Sequence, residues 1–102
     1  METILGLDFG TQGAKGTLIS CDGTVIGMVK VSYPPRFFGH GTVEQSPKAY
    51  WEALRTICLR LRGKYEADYK EICAVGLSGQ MHSVIPLDHA DRPVGNTLTW
   101  MD

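Results

Sequence analysis

Near the start of the chain, "DFGTQGAK" from Asp8 to Lys15 sets a carboxylate, a hydroxyl and an ammonium group around two glycines in one short stretch. Glycine admits backbone angles that aim successive N–H groups into a single hollow, which suits an anion such as phosphate. A carboxylate beside phosphate repels it unless a cation stands between them, so Asp8 makes chemical sense as the holder of hydrated magnesium. Thr11 adds a hydroxyl and Lys15 a positive charge. The stretch lacks the G-K-[ST] ending of a P-loop, and Gly10, Gly13 and Gly16, spaced three apart, do not match the G-x-G-x-x-G dinucleotide fingerprint. The plain alternative is a glycine-rich turn in which Asp8 caps backbone amides.

The elements that must position these groups follow from pattern and punctuation. Ile4 to Phe9 is a short apolar run, expected of a central strand covered on both faces. Ala14 to Ser20 reads as a second strand, "CDGT" at Cys21 to Thr24 as a tight hairpin, and Val25 to Tyr33 as a third strand with Val25, Gly27, Val29 and Val31 on one side. The loop "PPRFFGHGTVEQ" is expected to be irregular. Ser46 followed by Pro47 predicts a helix start, with Tyr50, Leu54, Ile57, Cys58 and Leu61 as its apolar stripe and Gly63 as its stop. Ile72 to Leu77 predicts a strand returning parallel into the same sheet. Ser83 to Leu87 and Thr97 to Trp100 are expected to form one more hairpin.

Composition narrows the class. The 102 residues carry 43% hydrophobic and 21% charged residues with a net charge of -1, ordinary for a soluble globular protein. The basic residues are scattered, which argues against a nucleic-acid partner. No apolar run approaches the ~18 residues of a membrane span, and the start "METILGLD" lacks a signal-peptide pattern, so a cytoplasmic protein is expected. Cys21, Cys58 and Cys73 form no C-x-x-C pair and read as buried free thiols; His40, His82 and His89 lack metal-site spacing.

Three further segments carry a resemblance. "VEQSPKAYW" at Val43 to Trp51, "GLSGQMHS" at Gly76 to Ser83 and "TLTWMD" at Thr97 to Asp102, in that order after the "DFGT" turn, resemble the FGGY carbohydrate kinases, and most of all their xylulokinase branch. The resemblance implies an α/β, ribonuclease H-like fold of the actin, Hsp70 and sugar-kinase superfamily, and an ATP-dependent phosphorylation of a sugar, D-xylulose to D-xylulose 5-phosphate in that branch. It implies that Asp8 is the catalytic, magnesium-associated acid, that Gly10, Thr11, Gln12 and Lys15 lie near the ATP phosphates, and that Gln80, Met81, His82, Trp100 and Asp102 lie at the sugar. A polyol needs several hydrogen-bonding partners, while Met81 and Trp100 can cover its C–H faces. Without the resemblance, His82 reads as a structural histidine and Trp100 as core. Ser83 and Thr99 also resemble the gluconate-kinase branch. Glycerol kinases of the family carry an Arg-Glu pair where Met81 and His82 stand, which argues against glycerol. A non-catalytic ATP-binding or chaperone-like module is the reading from another class.

Phosphoryl transfer also requires a base that accepts the sugar proton. The resemblance places that base, a second phosphate loop and the adenosine pocket beyond Asp102. Residues 1–102 are therefore expected to be the first part of an N-terminal domain, inactive alone, with an open sheet edge and an uncovered apolar face that favour self-association.

Overall fold

The computed structural model describes residues 1–33, 36–38, 42–79, 85, 87–93, 95 and 97–98, with backbone alone for 36–38, 42–45 and 97–98. In chain order the elements are β1 (Thr3–Phe9), β2 (Gly13–Ser20), β3 (Val25–Ser32), β4 (Arg36–Phe38), β5 (Thr42–Gln45), α1 (Pro47–Lys64), α2 (Glu66–Tyr69), β6 (Ile72–Gly79) and β7 (Thr97–Leu98). One sheet has the order β3-β2-β1-β6, antiparallel except for the parallel pairing of β6 with β1. This is the three-strand meander followed by a returning parallel strand that the sequence predicts.

Alternation along β1 buries Thr3, Leu5 and Leu7 on one face and leaves Ile4 and Asp8 exposed on the other. The strand is central in order but half-buried, so the expected double cover is not seen among the described residues. Its buried face meets α1 through Ala53, Ile57 and Leu61. Of the predicted stripe, Ile57 and Leu61 are fully buried and Tyr50, Leu54 and Cys58 partly buried, and Ala53 joins the buried line one turn before Ile57. Leu18, Ile57 and Leu61 are fully buried, and each contributes roughly 1.5–3 kcal/mol by leaving water.

Close approach of helix to sheet depends on missing side chains. A Cβ at Gly16 would stand 2.2 Å from Ile57 Cγ2, and one at Gly27 would stand 2.2 Å from the Tyr65 ring. The two glycines are the sockets into which α1 and the residue ending it settle. The helix runs one residue past Gly63, to Lys64, where Tyr65 ends it with its backbone N–H still bonded to Leu61. Packing of Tyr65 on Gly27, which lies far away in sequence, sets that end in place of the glycine. At the other end Ser46 is the N-cap and Pro47 opens the helix as predicted, although the Ser46 side chain makes no capping bond.

The short α2 turns the chain back into β6. The Thr3 hydroxyl, fully buried, donates to the Asp68 carbonyl at 2.8 Å, which satisfies the polar group that burial would otherwise leave unpaired. Val75 and Leu77 pair in register with Leu5 and Leu7, yet both are exposed, at 56% and 74%. The helix covers the sheet only as far as β1.

Other expectations are corrected. A register shift between Leu18 and Ile19 opens the β3 pairing, so Val25 is exposed while Ile26 packs toward the core. The segment read as irregular contains β4 and β5, and β7 pairs with β5 (Gln45 with Thr97) in a second sheet of order β4-β5-β7. Leu87 bridges Pro93 across a turn held by Asp88, whose side chain accepts from the Ala90 and Arg92 N–H groups. Residues 83, 84, 86, 99 and 100 of that predicted hairpin lie outside the described residues. The cysteines are free, but Cys21 and Cys73 are exposed and Cys58 half-buried, because the first two sit at strand ends beyond the cover of α1.

The β2–β3 hairpin follows its sequence closely. The Gly23 N–H donates to the Ser20 carbonyl, the Ser20 N–H donates to the Thr24 carbonyl, and Gly23 adopts φ 93°. This is a three-residue loop closing on a left-handed glycine. The Asp22 carboxylate accepts from the Ser20 hydroxyl and the Thr24 N–H, which holds its pKa below the ordinary carboxylate value. A Cβ at Gly23 would touch nothing, so Gly23→Ala is expected to cost only the backbone term of about 1–2 kcal/mol. Urea denaturation reads the difference, and Gly23→Asn should recover part of it.

Candidate functional site

The exposed face of the large sheet carries polar groups brought together by register. Asp8 on β1 stands opposite Lys15 on β2 and opposite Ser78 on β6. One step along, Gly6 stands between Thr17 and Gly76, and Lys15 is followed outward by Lys30 on β3. Gly6, Asp8, Lys15, Thr17, Gly76 and Ser78 line a shallow groove of about 430 Å³ that also reaches Ile19. Two adjacent glycines make its floor, so backbone is bare just where a ligand would lie. Asp8 is exposed and Lys15 half-buried; the pair does not close into a salt bridge, and the salt bridges among the described residues, Lys48–Glu52 on α1 and Lys70–Glu66 between α2 and its C-cap, lie elsewhere.

The β1–β2 turn stands at the end of this groove. The Gly10 N–H donates to the Gly13 carbonyl at 2.9 Å. Tyr33 holds the turn from below: its N–H donates to the Gln12 carbonyl at 3.1 Å and its hydroxyl to the Gly10 carbonyl at 2.8 Å. Burial pushes the Tyr33 pKa well above the ordinary phenol value, with Tyr50 and Asp8 adding to the shift, so its hydroxyl stays a neutral donor. The Tyr33 and Tyr50 rings meet edge to face at 5.1 Å, and Phe9 and Tyr50 at 6.2 Å, a rigid aromatic base for the turn.

The turn departs from the glycine hollow expected of it. Among the described residues Gly23 is the glycine with positive φ, and neither Gly10 nor Gly13 has one. Gly13 is required by proximity, since a Cβ there would lie 2.5 Å from the Val31 carbonyl oxygen. Of the residues expected near phosphate, Asp8 and Lys15 share the groove, while Gly10, Thr11 and Gln12 form the turn and do not line it. Gln80, Met81, His82, Trp100 and Asp102, expected at the sugar, lie outside the described residues. Thr17, Ser78 and Tyr33 were missed. Ser78 directly precedes the "GQMH" segment, and Tyr33 directly precedes two prolines, but only strand register and packing reveal what they face.

Residues 3–102 match the N-terminal domain of the FGGY family of carbohydrate kinases. The chain belongs to this family. It is 32% identical over 99 residues to a gluconokinase of Bacillus subtilis, covering 97% of the chain and 19% of that relative. It is 30% identical to a glycerol kinase of Thermococcus gammatolerans, covering 95% of the chain and 20% of the relative. The solved structure of a ligand-bound xylulose kinase from Lactobacillus acidophilus superposes with a TM-score of 0.90 at 33% identity, over 100% of the chain and 20% of that structure. The fold is accordingly the actin-like, ribonuclease H-like α/β fold of the FGGY kinases, and the chain spans about one fifth of the length of these relatives. No helix among the described residues is long and apolar enough to cross a membrane.

The groove suits a magnesium ion. No three His, Cys, Asp or Glu side chains converge among the described residues, and Asp8 is the one carboxylate that lines the groove, so a cation here would be held through Asp8. Magnesium is commonly held in this way, by one or two carboxylates with water and substrate phosphate completing its shell.

Proposed function

We propose that the protein carrying this chain phosphorylates a sugar at the expense of ATP, with D-xylulose as the acceptor. The observation that carries the reading is the union of the family match over residues 3–102 with a glycine-floored groove that sets Asp8 against Lys15. Bound magnesium would supply charge neutralisation between Asp8 and the phosphates. Lys15 and Lys30 draw the phosphate chain toward β2 and β3, and the Tyr33-braced turn from Gly10 to Gln12 gives it a fixed boundary, so that positioning rather than covalent chemistry is the task of this segment. Residues 1–102 then form the first part of the N-terminal domain, and the base and adenosine pocket come from the remainder.

Support for xylulose comes from the "QMH" and "TWMD" segments and from the likeness to the Lactobacillus enzyme. Gluconate is the second reading, favoured by the identity to the Bacillus gluconokinase. A coupled ADP-release assay of the intact protein with D-xylulose, gluconate and glycerol tests the choice: turnover on xylulose at least tenfold above the others is expected, and dominance of gluconate or glycerol would reject it.

At the sugar, Gln80, Met81, His82, Trp100 and Asp102 are the proposed contacts. Replacing His82 with Ala is expected to weaken sugar binding by ~1–3 kcal/mol, the cost of a buried polar partner left unsatisfied, or about 5-fold to 150-fold. Calorimetric titration with sugar and with ATP separately checks it. Loss of stability with sugar affinity intact would make His82 structural.

A further inference from the structure

We propose that Ser78 is a positioning residue for the divalent cation at Asp8, an inference that rests on the kinase reading above. Asp8 has two cross-strand neighbours on the groove face, and they differ in kind: Lys15 on the β2 side and Ser78 on the β6 side. An ammonium group repels a dication and attracts phosphate, so the phosphate belongs on the Lys15 side of Asp8 and the cation on the Ser78 side. The hydroxyl of Ser78 both donates and accepts, which lets it bond a water of the cation's shell whichever way that water is turned. Among the described residues, no hydrogen bond or ion pair ties the side chains of Asp8, Lys15, Thr17 or Ser78 to the chain, so these groups are available to a ligand. Gly76, two residues before Ser78 on the same face, has nothing within 4 Å of a Cβ position, which keeps the approach to Ser78 open.

The contrast between the two neighbours of Asp8 supplies the test. Mn2+ is titrated into the intact protein at saturating ADP, with free Mn2+ read by electron paramagnetic resonance. Ser78→Ala is expected to weaken Mn2+ binding about tenfold, as loss of an outer-shell partner does, Ser78→Thr to restore it, and ADP affinity without metal to stay unchanged. Lys15→Met should show the opposite pattern, with weaker ADP and undiminished Mn2+ affinity. Mn2+ affinity within twofold of wild type in Ser78→Ala, together with its loss in Asp8→Asn, would overturn the role of Ser78 and leave the kinase reading standing. Unchanged Mn2+ affinity in Asp8→Asn would overturn both. Because Ser78 is exposed, a thermal melt of Ser78→Ala should match wild type.

Discussion

Replacing Asp8 with Asn in the intact protein is expected to lower kcat about 10²- to 10³-fold, the usual loss when one group that stabilises developing charge is removed. Asn keeps the size of the side chain and a carbonyl oxygen but gives up the negative charge. The interaction with metal-bound phosphate matters most in the transition state, so kcat should fall while sugar affinity changes little. Stability should hardly move, because Asp8 is exposed, unpaired within the chain, and on the face of β1 opposite to the core. Steady-state kinetics at saturating ATP and magnesium, set beside a thermal melt, decide the matter. Turnover equal to wild type would remove Asp8 from the chemistry, and a collapse of the melt would make it a structural residue.

The second large effect concerns the contact that holds the sheet in place. Ile57 is fully buried and sits over Gly16 of β2, which leaves no room for a Cβ. Ile57→Ala is expected to destabilise by about 2–5 kcal/mol through lost burial and a residual cavity. Gly16→Ala is expected to cost about 1–3 kcal/mol by overpacking, since a buried β-branched side chain cannot swing aside. The two changes share one space, so the double variant should lose clearly less than the sum of the single losses. Urea denaturation of the four proteins in this cycle provides the measurement. Strict additivity would show that Ile57 does not occupy the Gly16 socket.

The second of these effects was hidden in the sequence and the first was not. Asp8 is legible as a candidate because a carboxylate stands between an apolar run and a glycine-rich turn, a pattern that suits a phosphate-associated cation as well as a cap on backbone amides. Gly16 stood out only as one more member of that turn. Its partner Ile57 is legible as part of the apolar stripe of the helix, but nothing in the sequence says which residue of the sheet that side chain meets.

Local physical chemistry determined what local patterns can carry. Alternating and apolar runs specified the strands from Thr3–Phe9 to Val25–Ser32 and the strand Ile72–Gly79, Asp22 and Gly23 specified the hairpin between the second and third, and Ser46 with Pro47 specified where the helix begins. Side-chain periodicity, dihedral preferences and, in the hairpin, hydrogen bonds within a few residues carry these features. The motifs in their order also pointed to the sugar-kinase family. Only the tertiary structure decided the rest. Register placed Ser78 and Lys15 on either side of Asp8, contact with Gly27 made Tyr65 rather than Gly63 the end of the helix, and pairing with Gln45 drew Thr97 into a second sheet. Each of these depends on groups far apart along the chain, whose meeting is settled by packing and strand register, so no stretch of sequence read by itself contains the answer.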